Sequence, residues 1–96
     1  MTAPATTTIT FAVWGPIRRA DLPGLCDRVC AIFASERPEL AFCDVQSVEP
    51  DAVTIDALAR LQLAAGRCGC TVRLRNASPE LRALVRFLGL GDVLPE

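Results

Sequence analysis

What most restricts the fold of this chain is a change of apolar period that happens three times along it. Thr8 to Trp14 puts Ile9, Phe11 and Val13 on one side and Thr8, Thr10 and Ala12 on the other, which is the alternation of a half-buried strand. Gly15 and Pro16 end it. From Leu22 the apolar residues Leu25, Cys26, Val29, Ile32 and Phe33 return at three- and four-residue intervals, the stripe of an amphipathic helix. Asp21 is placed to cap that helix, and Pro38 to stop it soon after Ser35. Leu40 to Val45 is short and almost wholly apolar, so it is expected as a buried central strand.

A second helix follows, with Ile55, Leu58, Leu61 and Ala65 on one face, Asp51 as its N-cap and Gly69 just past its end. Thr71 to Arg75 alternates again, setting Val72 and Leu74 against Arg73 and Arg75. Ser78 and Pro79 open a third helix as N-cap and first-turn residue, with Leu81, Leu84, Val85 and Leu88 inward and Gly89 as its stop. Strand and helix in alternation predict an α/β layer fold whose strands pair largely in parallel through right-handed crossovers.

Composition narrows the function. The chain has 96 residues, 51% of them hydrophobic and 22% charged, enough for one modest core. A single domain is expected over residues 7–96, after a flexible N-terminus over residues 1–6. Ten basic against eleven acidic residues leave a net charge of −1, so no basic excess exists to release counterions from a nucleic acid. No apolar stretch approaches the roughly 20 residues that span a bilayer. The first eight residues lack a basic segment followed by an apolar one of secretory length, so the cytoplasm is the expected compartment. Five cysteines, an odd number, point to free thiols in a reducing compartment and to no disulfide.

Residues able to carry catalysis are few. Histidine and tyrosine are absent, which removes the commonest general base and most nucleophile, base and orienter triads. No phosphate-binding glycine loop occurs, because Gly89-Leu90-Gly91 ends a helix rather than opening one. Asp44, Glu49, Asp51 and Asp56 gather around the start of the second helix, where helix capping and dipole compensation explain Asp51 and Asp56 more simply than acid/base chemistry. Cys26 and Cys30 lie four apart on one helix and Cys68 and Cys70 flank Gly69. Neither pair has the knuckle spacing of a zinc site, and cysteine in a helical stripe behaves as a small hydrophobe. Trp14 is either an exposed binding aromatic or an anchor at the core edge. Arg73, Arg75, Arg82 and Arg86 form an anion patch only if the last strand and last helix bring them together. No enzyme activity, cofactor or metal is expected.

From Asp44 to Leu94 the order of motifs resembles the STAS domain, whose pattern runs Asp-Leu-Ser-x-Val, then Asp-Ser-x-Gly-Leu opening a helix, then Gly before a strand and Gly-Leu near the C-terminus. Here stand Asp44-Val45-Gln46-Ser47-Val48, Asp51-Ala52-Val53-Thr54-Ile55, Gly69, Val72-Arg73-Leu74-Arg75-Asn76, Ser78-Pro79-Glu80-Leu81-Arg82 and Gly89-Leu90-Gly91-Asp92-Val93-Leu94. Trp14-Gly15-Pro16-Ile17 and Ala20-Asp21-Leu22 fit the start of the same pattern.

The resemblance implies a small mixed, mostly parallel sheet of about four strands covered by helices. It also implies a non-catalytic regulator of the anti-sigma-factor-antagonist kind, acting in transcription control by partner switching. Its partner would be a kinase-type anti-sigma factor or a similar signalling protein, bound at the start of the second helix and released when a serine there is phosphorylated. Counted back from Gly69, Asp51 falls on the family's aspartate, Ala52 on its phosphoacceptor serine and Thr54 on its glycine. The expected partner-binding residues are therefore Asp51, Ala52, Thr54 and Ile55, with Thr54 the candidate phosphosite in place of Ala52. The alternative role is a constitutive subunit of a lipid-transport or stress-sensing complex. The chain is expected as a monomer or homodimer.

Overall fold

A computed structural model describes residues 8–96; the expectation for residues 1–6 lies outside the described residues. Strand β1 (Thr8–Ala12) leads through a 3-10 turn (Arg19–Asp21) into helix α1 (Leu22–Glu36), then β2 (Leu40–Asp44), α2 (Ala52–Arg67), β3 (Thr71–Arg75) and α3 (Pro79–Phe87). The strands form one sheet in the order β1-β2-β3, both pairs parallel, with Ile9, Ala41 and Val72 in register and Phe11, Cys43 and Leu74 two residues on. Three parallel strands thus stand, among the described residues, where about four in a mixed sheet were expected.

Strands laid down in sequence order, joined by crossovers of one hand, carry their helices on one face. The burial pattern follows. Ala41, Cys43, Val45, Val72 and Leu74 are buried with Leu22, Val29 and Phe33 of α1, Ile55, Leu58, Leu61 and Ala65 of α2, and Leu81 and Val85 of α3, in one core. Phe11 meets Phe33 edge to face, with ring centroids 6.1 Å apart. The alternate strand residues face away from the helices: Thr8, Thr10, Ala12, Thr71, Arg73 and Arg75 are exposed, and Leu40 and Phe42 only half-buried. β2 is therefore not buried on both faces as its apolar run suggested. Phe42 is shielded instead by the guanidinium of Arg75, 4.0 Å above its ring.

Each helix end has a local cause. The Asp51 carboxylate accepts the Thr54 N–H at 2.8 Å, and the Ser78 hydroxyl accepts the Leu81 N–H at 3.1 Å. Gly69 and Gly89 follow α2 and α3 with φ of 73° and 72°, the left-handed conformation in which glycine is unstrained. Asp21 is the exception. It belongs to the 3-10 turn with helical φ and ψ, and its carboxylate accepts the Arg18 N–H at 3.1 Å rather than an amide of α1. Pro23, in the first turn of α1, has no N–H to offer it. Two apolar residues also depart from expectation: Ile32 (37% exposed) and Leu88 (46%) lie at the margins of their stripes.

Candidate functional site

The carboxyl ends of the three strands are tied together by the loop that delivers α2. The Gly15 N–H donates to the Ser47 carbonyl at 3.3 Å, and the Val48 N–H to the Val45 carbonyl at 3.3 Å. A Cβ at Gly15 would lie 2.9 Å from the Ser47 oxygen and 3.0 Å from Val48 Cα, so only glycine permits this approach of two backbones. On the other side Asp44 accepts the Gln46 N–H at 2.9 Å and the Asn76 side-chain amide at 3.2 Å. Asn76 holds a φ of 58°, which asparagine tolerates better than most residues.

The surface so built carries the exposed ring of Trp14 (74% exposed) and, across the Gly15–Ser47 contact, the start of α2. Asp51 and Ala52 are exposed there. Trp14 is thus the exposed aromatic of its two readings. Thr54 and Ile55 are buried, Thr54 completely (0%). That corrects their assignment to the partner-binding set, and Thr54 as phosphosite with it, since a phosphoryl donor cannot reach a hydroxyl sealed in the core. The cause is helix phase: Thr54 precedes Ala57 and Leu58 by three and four residues and shares their inward face. In the same loop Ser47 is an exposed hydroxyl that the sequence reading passed over.

The Thr54 Oγ1 has no hydrogen-bond partner among the described residues. A buried, unsatisfied hydroxyl costs about 1–3 kcal/mol, so Thr54→Val is expected to stabilise the fold by about 1 kcal/mol. A thermal melt reads this as a rise of roughly 4–8 °C for a domain of this size; a lowered midpoint would mean that the hydroxyl is bonded.

Three of the four acidic residues near α2 are engaged in structure. Asp44 binds the loop and Asp51 caps the helix. Asp56 pairs with Arg60 at 2.9 Å and Arg19 at 3.3 Å. The Arg60 hydrogen bond, chiefly, holds the Asp56 carboxyl below its ordinary value, so it stays ionised at neutral pH and is a poor proton donor.

The arginines divide. Arg73 and Arg75 project from the open sheet face, whereas Arg82 pairs with Glu96 at 3.6 Å and lines, with Arg86 and Leu74, a cavity on the core side. They form no common patch. All five cysteines are free, Cys43 and Cys70 buried and the others half-buried. Burial, with Asp44 adding to it, pushes the Cys43 thiol up to about 12, which leaves it protonated and inert at neutral pH. Among the described residues no three Cys, Asp or Glu side chains gather as metal ligands would, and no helix is long and apolar enough to cross a membrane.

No protein-family model matches the chain, and no curated protein matches it. Among solved structures, the crystal structure of a sulfate transporter family protein from Wolinella succinogenes is similar, with a TM-score of 0.69 at 21% identity, over 99% of this chain and 76% of that one. The chain has a STAS-type fold. Among the described residues this STAS-type sheet runs β1-β2-β3 without reversal, so they form no switch-point crevice of the kind in which doubly wound sheets bind nucleotides. At the carboxyl edge it offers a surface instead.

Proposed function

We propose that this chain is a non-catalytic protein-binding regulator that docks its partner on the carboxyl end of the sheet, through Asp51 and Ala52 with Trp14 beside them. The observation that carries the reading is the joining of an exposed tryptophan and an exposed helix start by the Gly15–Ser47 backbone contact. Large aromatic side chains on rigid, exposed ground are the residues that anchor protein interfaces. Structural use of Asp44, Asp51 and Asp56 supports a binding role over acid/base catalysis. The partner class is the one the STAS resemblance suggests, a kinase-type anti-sigma factor or similar signalling protein, and the free thiols favour the cytoplasm.

The regulator so proposed is not released by phosphorylation at the usual place. Ala52 has no hydroxyl, and the Thr54 hydroxyl is buried. This favours, as a second reading, a constitutive subunit of a larger assembly such as a lipid transporter or stress-sensing complex. The occurrence of a similar fold in a sulfate transporter family protein agrees with that.

Ala52→Glu tests the site common to both readings. Acidic residues in a helix's first turn suit its dipole, so folding is kept, while a partner surface fitted to alanine must desolvate an unpaired charge. Calorimetry with the partner recovered from the native cell is expected to show binding at least tenfold weaker, about 1.4 kcal/mol, with circular dichroism unchanged. Equal affinity would place the docking surface elsewhere.

A further inference from the structure

The two edges of the sheet are treated differently. Along β3 the outward backbone groups are closed from within the chain. The Val72 N–H donates to Gln62 Oε1 at 2.8 Å, Gln62 Nε2 donates to the Val72 and Val93 carbonyls at 2.9 and 2.7 Å, and the Leu74 N–H donates to the Pro95 carbonyl at 2.7 Å. Along β1 nothing comparable stands among the described residues. The Val13 N–H donates to the Asp44 carbonyl. By the two-residue period of a strand Ile9 and Phe11 also turn their backbone to β2, while Thr8, Thr10 and Ala12 turn theirs outward. Natural sheets guard such an edge with charge, proline or a bulge. Thr8–Trp14 has no charge and no proline, and no charged residue precedes Arg18.

The flank beside that edge carries apolar side chains as well. Ile9 and Phe11 are only partly buried. Leu25 lines, with Val13, Trp14 and Ile17 and with the charged Asp21 and Arg28, a groove of about 440 Å³ between β1 and α1. Ile32, seven residues after Leu25, lies on the same side of the helix and is 37% exposed.

We propose that this edge is a self-association surface, occupied by β1 of a second copy running antiparallel about a two-fold axis at Thr10. In that register Thr10 faces Thr10, and Thr8 faces Ala12. All are outward-turned residues, so each pair exchanges both of its N–H···O bonds. Ile9 and Phe11 then oppose each other on the helix-covered side, where Leu25 and Ile32 of both copies extend the contact. On the open side the two Thr10 side chains make a favourable cross-strand pair.

A second copy is the occupant because the strip is complementary to itself. It has the β-forming residues of a strand, no charge to repel its own image, and none to select a charged partner. Edge pairing over five residues falls short of the ~800 Å² per partner of a stable interface, so Leu25 and Ile32 on the flank must contribute and the dimer is reversible. Of the residues at the carboxyl end of the sheet, Trp14 alone is shared with this flank, Asp51 and Ala52 lie outside it, and the proposal does not depend on the docking site there.

Analytical ultracentrifugation of the full 96-residue chain over micromolar to millimolar concentrations tests it. The expected result is a rise from 10.3 kDa towards twice that mass. Thr10→Lys sets two lysines against each other at the axis while leaving an exposed position exposed, and Ala12→Pro deletes an N–H used only between copies. Each is expected to hold the chain at monomer mass with its circular dichroism unchanged. Should either variant misfold, hydrogen exchange on the wild type decides, the Thr10 and Ala12 amides gaining protection as concentration rises. A monomer at every concentration, concentration-independent protection of those amides, or a dimer unaffected by both substitutions in folded protein would overturn the proposal.

Discussion

Leu58→Asp will unfold the domain. Leu58 sits at the middle of α2 with 1% of its surface exposed, in the core that the sheet shares with all three helices. An unpaired carboxylate there either stays charged in an apolar surrounding or takes up a proton at the cost of a strongly raised pKa, several kcal/mol in either case. Losing the leucine's own packing adds about 2–5 kcal/mol more. Together these match the whole stability of about 5–15 kcal/mol usual for a domain. Circular dichroism and a thermal melt will show an unfolded chain at room temperature. Leu63→Asp, on the exposed side of the same helix, is the control and is expected to change stability by no more than about 0.5 kcal/mol. A cooperative melt for Leu58→Asp at the wild-type midpoint would place Leu58 outside the core.

The contrast between Leu58 and Leu63 shows what periodicity can carry. The α2 stripe was legible because Ile55, Leu58, Leu61 and Ala65 repeat at helical spacing, and all four are buried. The caps Asp51 and Ser78 and the stops Gly69 and Gly89 were legible because each acts through local backbone groups. Periodicity failed where one residue type serves two environments. Leu40 and Phe42 read as core by composition, yet a three-stranded sheet wound in one direction leaves their face open. Ile32 and Leu88 sit at the margins of stripes whose width the sequence does not specify.

The candidate site divides the same way. Asp51 was legible as a cap because a helix start has a local signature, whereas Ala52 was named from its place in the STAS pattern; both are exposed. Thr54 was named for its place in the STAS pattern and for its hydroxyl, although its spacing from Ala57 and Leu58 puts it inward. The Gly15–Ser47 approach and the closing of the β3 edge by Gln62 bring together residues far apart in the chain. Nothing local announces such contacts: a glycine before a proline reads as a strand stop, and a glutamine on a helix as solvated surface.

Gly15→Val will damage fold and docking surface together. The added Cβ would stand 2.9 Å from the Ser47 oxygen and 3.0 Å from Val48 Cα, both backbone atoms that no rotamer change can move, and the two valine methyls need further room. The backbones must separate, breaking the 3.3 Å bond from the Gly15 N–H to Ser47 and shifting the loop that carries Asp51. Overpacking against a fixed wall costs about 1–3 kcal/mol, and a lost, partly buried hydrogen bond about 1 more, so a destabilisation of about 3 kcal/mol is expected. Chemical denaturation should show the midpoint falling with an unchanged slope, because the same surface is exposed on unfolding. The loop's displacement should also weaken the partner under conditions where the variant is folded, since Trp14 and Ala52 no longer keep their spacing. That separates Gly15→Val from Leu63→Asp, which touches neither the contact nor the surface. If Gly15→Val melts with the wild type, the two backbones are not in contact and the surface they are held to build does not exist as described.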